Sequence, residues 1–149
     1  MINYAKIGDE LYYLDRTHGI YKCVIQGIID TNGIISYRDN RNMRHYPENL
    51  FYTKKDIVEA IPTNIQYTDI PDLPAGTDFK YGDKVYFVDI NPYMIHDAIL
   101  NFVEKSQSST YSGYCYKYRG AKKGYNSESI FSPFATLQEV KEYITASNH

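Results

Sequence analysis

Short runs of β-branched and aromatic residues, Leu11 to Leu14 and Val85 to Val88, each follow a Gly-Asp pair and predict strands that start at a turn. Ile20 to Ile29 and Ile34 to Arg38 flank Asp30-Thr31-Asn32-Gly33, whose Asn-Gly predicts a hairpin. Met94 to Glu104 and Thr110 to Arg119 predict a second hairpin around Lys105 to Ser109, long enough to project from the body that carries it. Helical spacing appears twice. Thr53 precedes Lys54, Lys55 and Asp56, and Thr136 precedes Leu137, Gln138 and Glu139, two capping starts with an acid at the third helical position. Ile57, Ala60 and Ile61 fall on one face of the first helix, and Val140, Tyr143 and Ile144 on one face of the second.

These elements recur in the same order because the chain repeats itself. Ile7 to Asp30 aligns without a gap on Tyr81 to Glu104 at an offset of 74. Gly8, Asp9, Leu11, Tyr12, Tyr13, Leu14 and Asp15 become Gly82, Asp83, Val85, Tyr86, Phe87, Val88 and Asp89. Glu48, Leu50 and Phe51 then match Glu128, Ile130 and Phe131 at an offset of 80, and Thr53 to Ile61 match Thr136 to Ile144 at 83. Between the copies, 62–78 holds three prolines and three acids without a periodic apolar face and reads as an extended connector. It tethers loosely unless Ile65, Tyr67, Ile70 and Leu73 pack. The expected organisation is a first repeat at 1–61, a linker at 62–78 and a second repeat at 79–149.

Four or five strands and a closing helix in about 60 residues suit a small barrel near the lower size limit for an unstapled core. The Gly-Asp-x-apolar-Tyr start followed by a hairpin resembles Tudor and KOW type barrels of the SH3-like class. The closing Glu-x-(Leu/Ile)-Phe-x-Thr-x-x-(Asp/Glu) helix resembles small barrel proteins of phages of low-GC bacteria. The expected fold is therefore mainly β with short helices: two SH3-like small barrels in tandem, each closed by a C-terminal helix. The resemblance covers most of the chain, but its motifs are structural and bring no catalytic residue. It implies recognition of a protein or nucleic acid, and by analogy inhibition of a host defence protein.

Composition narrows the setting. Seventeen Tyr, six Phe and no Trp in 149 residues, with abundant Ile, Asn and Lys, fit AT-rich coding and a phage or mobile element of a low-GC bacterium. Sixteen bases against eighteen acids leave a net charge of -2, so no global positive field draws the chain to nucleic acid or an anionic membrane. No apolar run approaches the roughly 20 residues that span a bilayer, and no secretory leader is recognised, so a cytoplasmic setting without membrane contact is expected. Cys23 and Cys115 lack any nearby Cys or His at metal spacing and are expected to be buried, inert thiols.

Candidate chemistry is sparse. Asp9 with Asp15, and Asp83 with Asp89, lie too far apart along extended strands to share a proton or ion, so turn capping is the expected role. His18, His45, His96 and His149 have no helical zinc spacing, and no nucleophile elbow or phosphate loop occurs. No catalytic residue, metal site or cofactor is assigned, and an enzyme is not expected.

Two constellations remain. Tyr114, Tyr116 and Tyr118 alternate along one strand with Lys117 and Arg119 on its other face. With Tyr111, Lys122, Lys123 and Tyr125 they form a candidate surface for a protein partner, since aromatic and Arg side chains dominate interfaces. Alternatively, bases are concentrated at Arg38, Arg41, Arg44 and His45 and at 117–123, interleaved with Tyr, a composition suited to a nucleic-acid backbone. A structural phage component that self-assembles through sheet edges is the third expectation.

Overall fold

The computed structural model describes residues 2–15, 19–89, 93–107, 114–124 and 127–146. Its contacts divide the chain into two units, one formed by 1–61 with 90–93 and 144–149, the other by 62–89 with 94–143. The fold is mainly β, with two sheets, one of them a half-barrel, and a C-terminal helix.

The first unit contains strands β1 (Glu10–Asp15), β2 (Gly19–Thr31), β3 (Ile34–Asp39), β4 (Arg44–His45) and β5 (Leu50–Phe51), followed by helix α1 (Lys54–Glu59). They form a sheet in the order β4-β3-β2-β1-β5. Asn32 and Gly33 both take positive φ, 54° and 84°, and the Asp30 carboxylate accepts from the Gly33 N–H, so the Asn-Gly hairpin forms as its residues dictate. Leu11, Tyr13, Cys23, Ile25, Tyr37 and Leu50 pack with Ile2 and Ala5 as its core.

The second unit contains β6 (Thr63–Asn64), β7 (Lys84–Asp89), β8 (Met94–Gln107), β9 (Tyr114–Ala121) and β10 (Ser127–Ile130). Helix α2 (Leu137–Ala146) ends the described chain. Here β10, β9, β8 and β7 pair in turn, and Tyr86 of β7 bridges Phe134 as Tyr12 of β1 pairs with Phe51. The pairing order of the first unit is thus repeated, and β6 adds to the other side of β8 in parallel. Gly8 and Gly82 adopt matching φ of 95° and 92°, and Asp9 and Asp83 each accept from the backbone N–H three residues earlier. Thr53 and Thr136 both cap, each accepting from the N–H three residues on at 3.1 Å.

Pairing changes the alignment in two places. Glu10 faces Val24 whereas Lys84 faces Ile99, so the second copy has one residue more in its first turn and the gapless match ends there. A one-residue slip moves every side chain to the other face, and Cys23 and Ile25 correspond to Ala98 and Leu100. Both long strands then bulge at matched sites, between Ile25 and Gly27 and between Leu100 and Phe102. The second change is that Phe51 corresponds to Phe134 rather than Phe131, and His45 to Ile130. In the helices Val58 is buried where Ala60 was expected, and Tyr143 is exposed against Phe134.

The connector 62–78 is part of the second unit. The buried Asp97 carboxylate accepts from the Gln66 and Tyr67 N–H groups, both at 2.8 Å. Lys84, also buried, donates to the carbonyls of Tyr67 and Ile70 and pairs with Asp72 at 2.9 Å. Tyr86 donates to the same Asp72 carboxylate at 2.6 Å. Ile65, Tyr67 and Leu73 are half-buried whereas Ile70, also expected to pack, is exposed, and with these hydrogen bonds the segment is strapped down rather than tethered loosely. Among the described residues no helix is long and apolar enough to cross a membrane.

Candidate functional site

The β8–β9 ribbon carries the Tyr row. Val103 faces Tyr118, Lys105 faces Tyr116 and Gln107 faces Tyr114, which places the three rings on one face at increasing distance from the core. Tyr118 is half-buried against the core cluster of Val85, Phe87, Ala98, Leu100 and Ile130 and meets Phe79 edge-on at 6.2 Å. Burial, then the nearby Asp78 charge, raises its phenol pKa. Tyr116 stacks on Tyr118 with rings 5.9 Å apart and nearly parallel, and is 39% exposed. Tyr114 is 61% exposed, with the Lys105 ammonium 4.2 Å from its ring centre. One strand therefore grades from core to open aromatic surface within five residues.

The opposite face is basic and aromatic. Arg119 lies over Phe102 at 4.6 Å, and Lys117 is exposed beside it. These residues line an open cleft of about 230 Å³ that runs round the edge of the ribbon, since Ser129, Ile130 and Phe131 and the rings of Tyr116 and Tyr118 line it as well. Phe131 is 95% exposed, the most open large apolar side chain among the described residues. Neither Phe102 nor Phe131 was singled out from the sequence. The available signal was a surplus: once Phe134 takes the place of Phe51, Phe131 falls level with the exposed Tyr46, one residue past Ile130 as Tyr46 is past His45, and has no core to fill.

The other expected contacts separate. Lys122 is withdrawn from the surface: its side chain is 10% exposed, lies 3.1 Å from Glu128 and 3.6 Å from Asp89, and covers Phe87. It is an internal counter-ion, not a contact residue. Lys123 is exposed, and Tyr111 and Tyr125 lie outside the described residues. In the first unit Arg38 is exposed, but Arg41 donates to the Tyr13 hydroxyl at 2.5 Å and lies 5.6 Å from the ring centres of Tyr13 and Tyr21. Arg44 donates to Ser36 at 2.8 Å and covers Tyr46, while His45 is buried. Three of the four expected cations are engaged within their own unit.

His45 instead joins Cys23 and Asp39. All three are buried, and one ligand-type atom from each lies within 4.8 Å of the others. Asp39 ends β3 and its Oδ1 accepts from the Arg41 and Met43 N–H groups, closing the turn into β4. Its Oδ2 lies 2.7 Å from His45 Nε2. Burial opposes the carboxylate charge, but the hydrogen bonds from His45, Met43 and Arg41 prevail and hold Asp39 below the usual Asp pKa. Burial and then the Asp39 charge push the Cys23 thiol up to about 11, so it is no nucleophile at neutral pH. Cys115, by contrast, is exposed rather than buried. Linear spacing hid this group because its members lie on three strands. Comparison with protein-family models, with curated proteins and with solved structures finds no match for this chain.

Proposed function

We propose that the chain is a non-enzymatic binding protein whose second unit grips a protein partner with the β8–β9 ribbon, and that its two sheets are SH3-like small barrels in tandem. The repeated pairing order supports the barrel reading, including the Tudor and KOW resemblance of the Gly-Asp turns. Phe131 carries the partner reading. An almost fully open Phe beside an Arg-on-Phe cleft, next to the exposed Tyr114 and Tyr116, combines the side-chain types that act as interface anchors. A phage-encoded inhibitor of a host defence protein is the role that the resemblance suggests for such a binder.

The second reading, a nucleic-acid ligand, draws on Lys117 and Arg119 flanking the same cleft, where a base stacked on Phe131 would bring its phosphate to the bases. The internal engagement of Arg41, Arg44 and Lys122 lowers its standing. A photo-crosslinking amino acid at position 131, with one at exposed Ile34 as control, separates the two in cells. Protein adducts specific to position 131, whose purified partner then binds the chain and loses affinity with Phe131→Ala, support the first reading. Adducts to RNA or DNA support the second, and equal adducts at both positions overturn the ribbon as the site.

A further inference from the structure

We propose that Cys23, Asp39 and His45 form a buried zinc site in the first unit. The internal repeat supplies the comparison that isolates it. Cys23 faces Leu11 as Ala98 faces Val85, Asp39 faces Ile25 as Gly120 faces Leu100, and His45 faces Tyr37 as Ile130 faces Tyr118. Where the second unit builds one small apolar contact from Ala98, Gly120 and Ile130, the first places a thiol, a carboxylate and an imidazole. That second contact is tight: a Cβ on Gly120 would lie 2.7 Å from those of Ala98 and from Ile130 Cδ1. The same sheet thus closes well without any polar group there, and three polar exchanges converge on one point.

An Asp-His hydrogen bond alone does not need the thiol, and burying the pair costs desolvation. A metal uses all three. Thiolate, imidazole and carboxylate together suit Zn²⁺ rather than Mg²⁺ or Ca²⁺, which prefer oxygen ligands alone. The carboxylate is already oriented, since Asp39 Oδ1 accepts two backbone N–H groups while Oδ2 faces the site, the outer support that metal ligands ordinarily have. Zinc would take the place of the proton held between Nε2 and Oδ2, which moves to His45 Nδ1 or leaves to solvent, and the Cys23 thiol would release its own proton to solvent, leaving a fourth position for water. Exposures of 1%, 1% and 6% for Cys23, Asp39 and His45 close the three ligands off from bulk solvent.

The test uses the full chain, purified, freed of metal with a chelator and titrated with Co²⁺, whose bands report tetrahedral geometry and thiolate ligation. The expected result is a thiolate-to-cobalt band that persists in Cys115→Ala, where Cys23 is the sole cysteine, and that vanishes in Cys23→Ala. His45→Asn is expected to weaken Co²⁺ and Zn²⁺ binding by at least about tenfold. Zinc should also raise the melting temperature of the wild type and not that of Cys23→Ala, which copies the counterpart Ala98 and is expected to fold. No cobalt band in folded wild-type protein, or a band lost in Cys115→Ala, overturns the site. The Cys115→Ala measurement decides even if Cys23→Ala does not fold.

Discussion

Lys84, facing Ile99 at the start of β7, holds the position that Glu10, facing Val24, holds at the start of β1. The charge is reversed, and so is that of a neighbouring position: Lys22 faces Tyr12 as Asp97 faces Tyr86. Glu10 and Lys22 form an ion pair at 2.9 Å with side chains 61% and 49% exposed. Lys84 and Asp97 are buried beneath 62–72. Burial opposes the Lys84 charge, but its hydrogen bonds with Asp72 and Tyr86 outweigh that and raise its pKa above the ordinary lysine value. Two exchanges on one open face thus turn a solvated surface into an attachment for the connector.

Asp97→Ala removes the acceptor of two backbone N–H groups and is expected to cost about 2–4 kcal/mol. Lys84→Met leaves Asp72, itself 43% exposed, without its ammonium, so screening limits the expected loss to about 1–2 kcal/mol. Both variants should release the strap. Chymotrypsin should cut early after Tyr67 in each, and slowly in the wild type. Equal early cutting in all three would show that these side chains do not hold the segment.

Gly120 lies where no side chain fits. Gly120→Ala puts a methyl 2.7 Å from the Ala98 Cβ, which is fixed on a paired strand, and the same distance from Ile130 Cδ1, which can rotate. The expected cost is about 1–3 kcal/mol by urea denaturation. Ala98→Gly added to it should recover part of that loss, and a double variant no more stable than Gly120→Ala would refute the account.

Acid should weaken the second unit in two stages. His96 is buried against Phe87, its Nδ1 has no hydrogen-bond partner among the described residues, and burial and then the Lys122 charge lower its pKa from 6.5 despite Asp89, Glu128 and Asp97 nearby. Because the folded value lies below the unfolded one, the unfolded chain takes up the proton first. Stability is full above pH 6.5 and falls as pH drops through 6.5 towards the folded value. Asp72, whose pKa is lowered by hydrogen bonds from Tyr86 and Lys84, adds a loss below its ordinary 3.8. His96→Gln should remove the upper stage and leave the lower, as read from stability against pH. An unchanged upper stage would assign it elsewhere.

Much of the fold was legible because local chemistry repeats: Gly-Asp turns, an Asn-Gly hairpin and Thr caps recur at matched places. The register of the second strand was not, since one extra residue in a turn preserves composition while exchanging faces, and only the pairing of Glu10 with Val24 and Lys84 with Ile99 reveals it. That slip also concealed the counterpart of Cys23. Short pieces such as Arg44–His45 and Thr63–Asn64 have too few residues to show a period and form because an existing strand offers partners. The Tyr row was found, but its division between core and surface depends on where β8 and β9 leave the sheet.

That division separates folding from binding. Tyr118 packs on the core and on Phe79, so Tyr118→Ala is expected to cost about 2–3 kcal/mol, less than a fully buried ring because its edge is open. Tyr114 and Phe131 rest mostly in solvent, and their replacement by Ala should change stability by no more than about 0.5 kcal/mol. Tyr116 lies between, because it loses its stack on Tyr118, and about 1 kcal/mol is expected. Partner affinity should follow the opposite order. Phe131→Ala and Tyr114→Ala together should weaken binding by at least about 30-fold, as loss of anchor residues does. Lys117→Ala with Arg119→Ala should act mainly on the association rate and its salt dependence if the partner is a protein. A nucleic-acid partner would instead lose about one unit of log-log salt slope for each phosphate contact removed. Melting curves and titration of the crosslinked partner, measured on the same variants, would refute the division if Tyr114 or Phe131 proved essential to folding, or if Tyr118→Ala left stability unchanged.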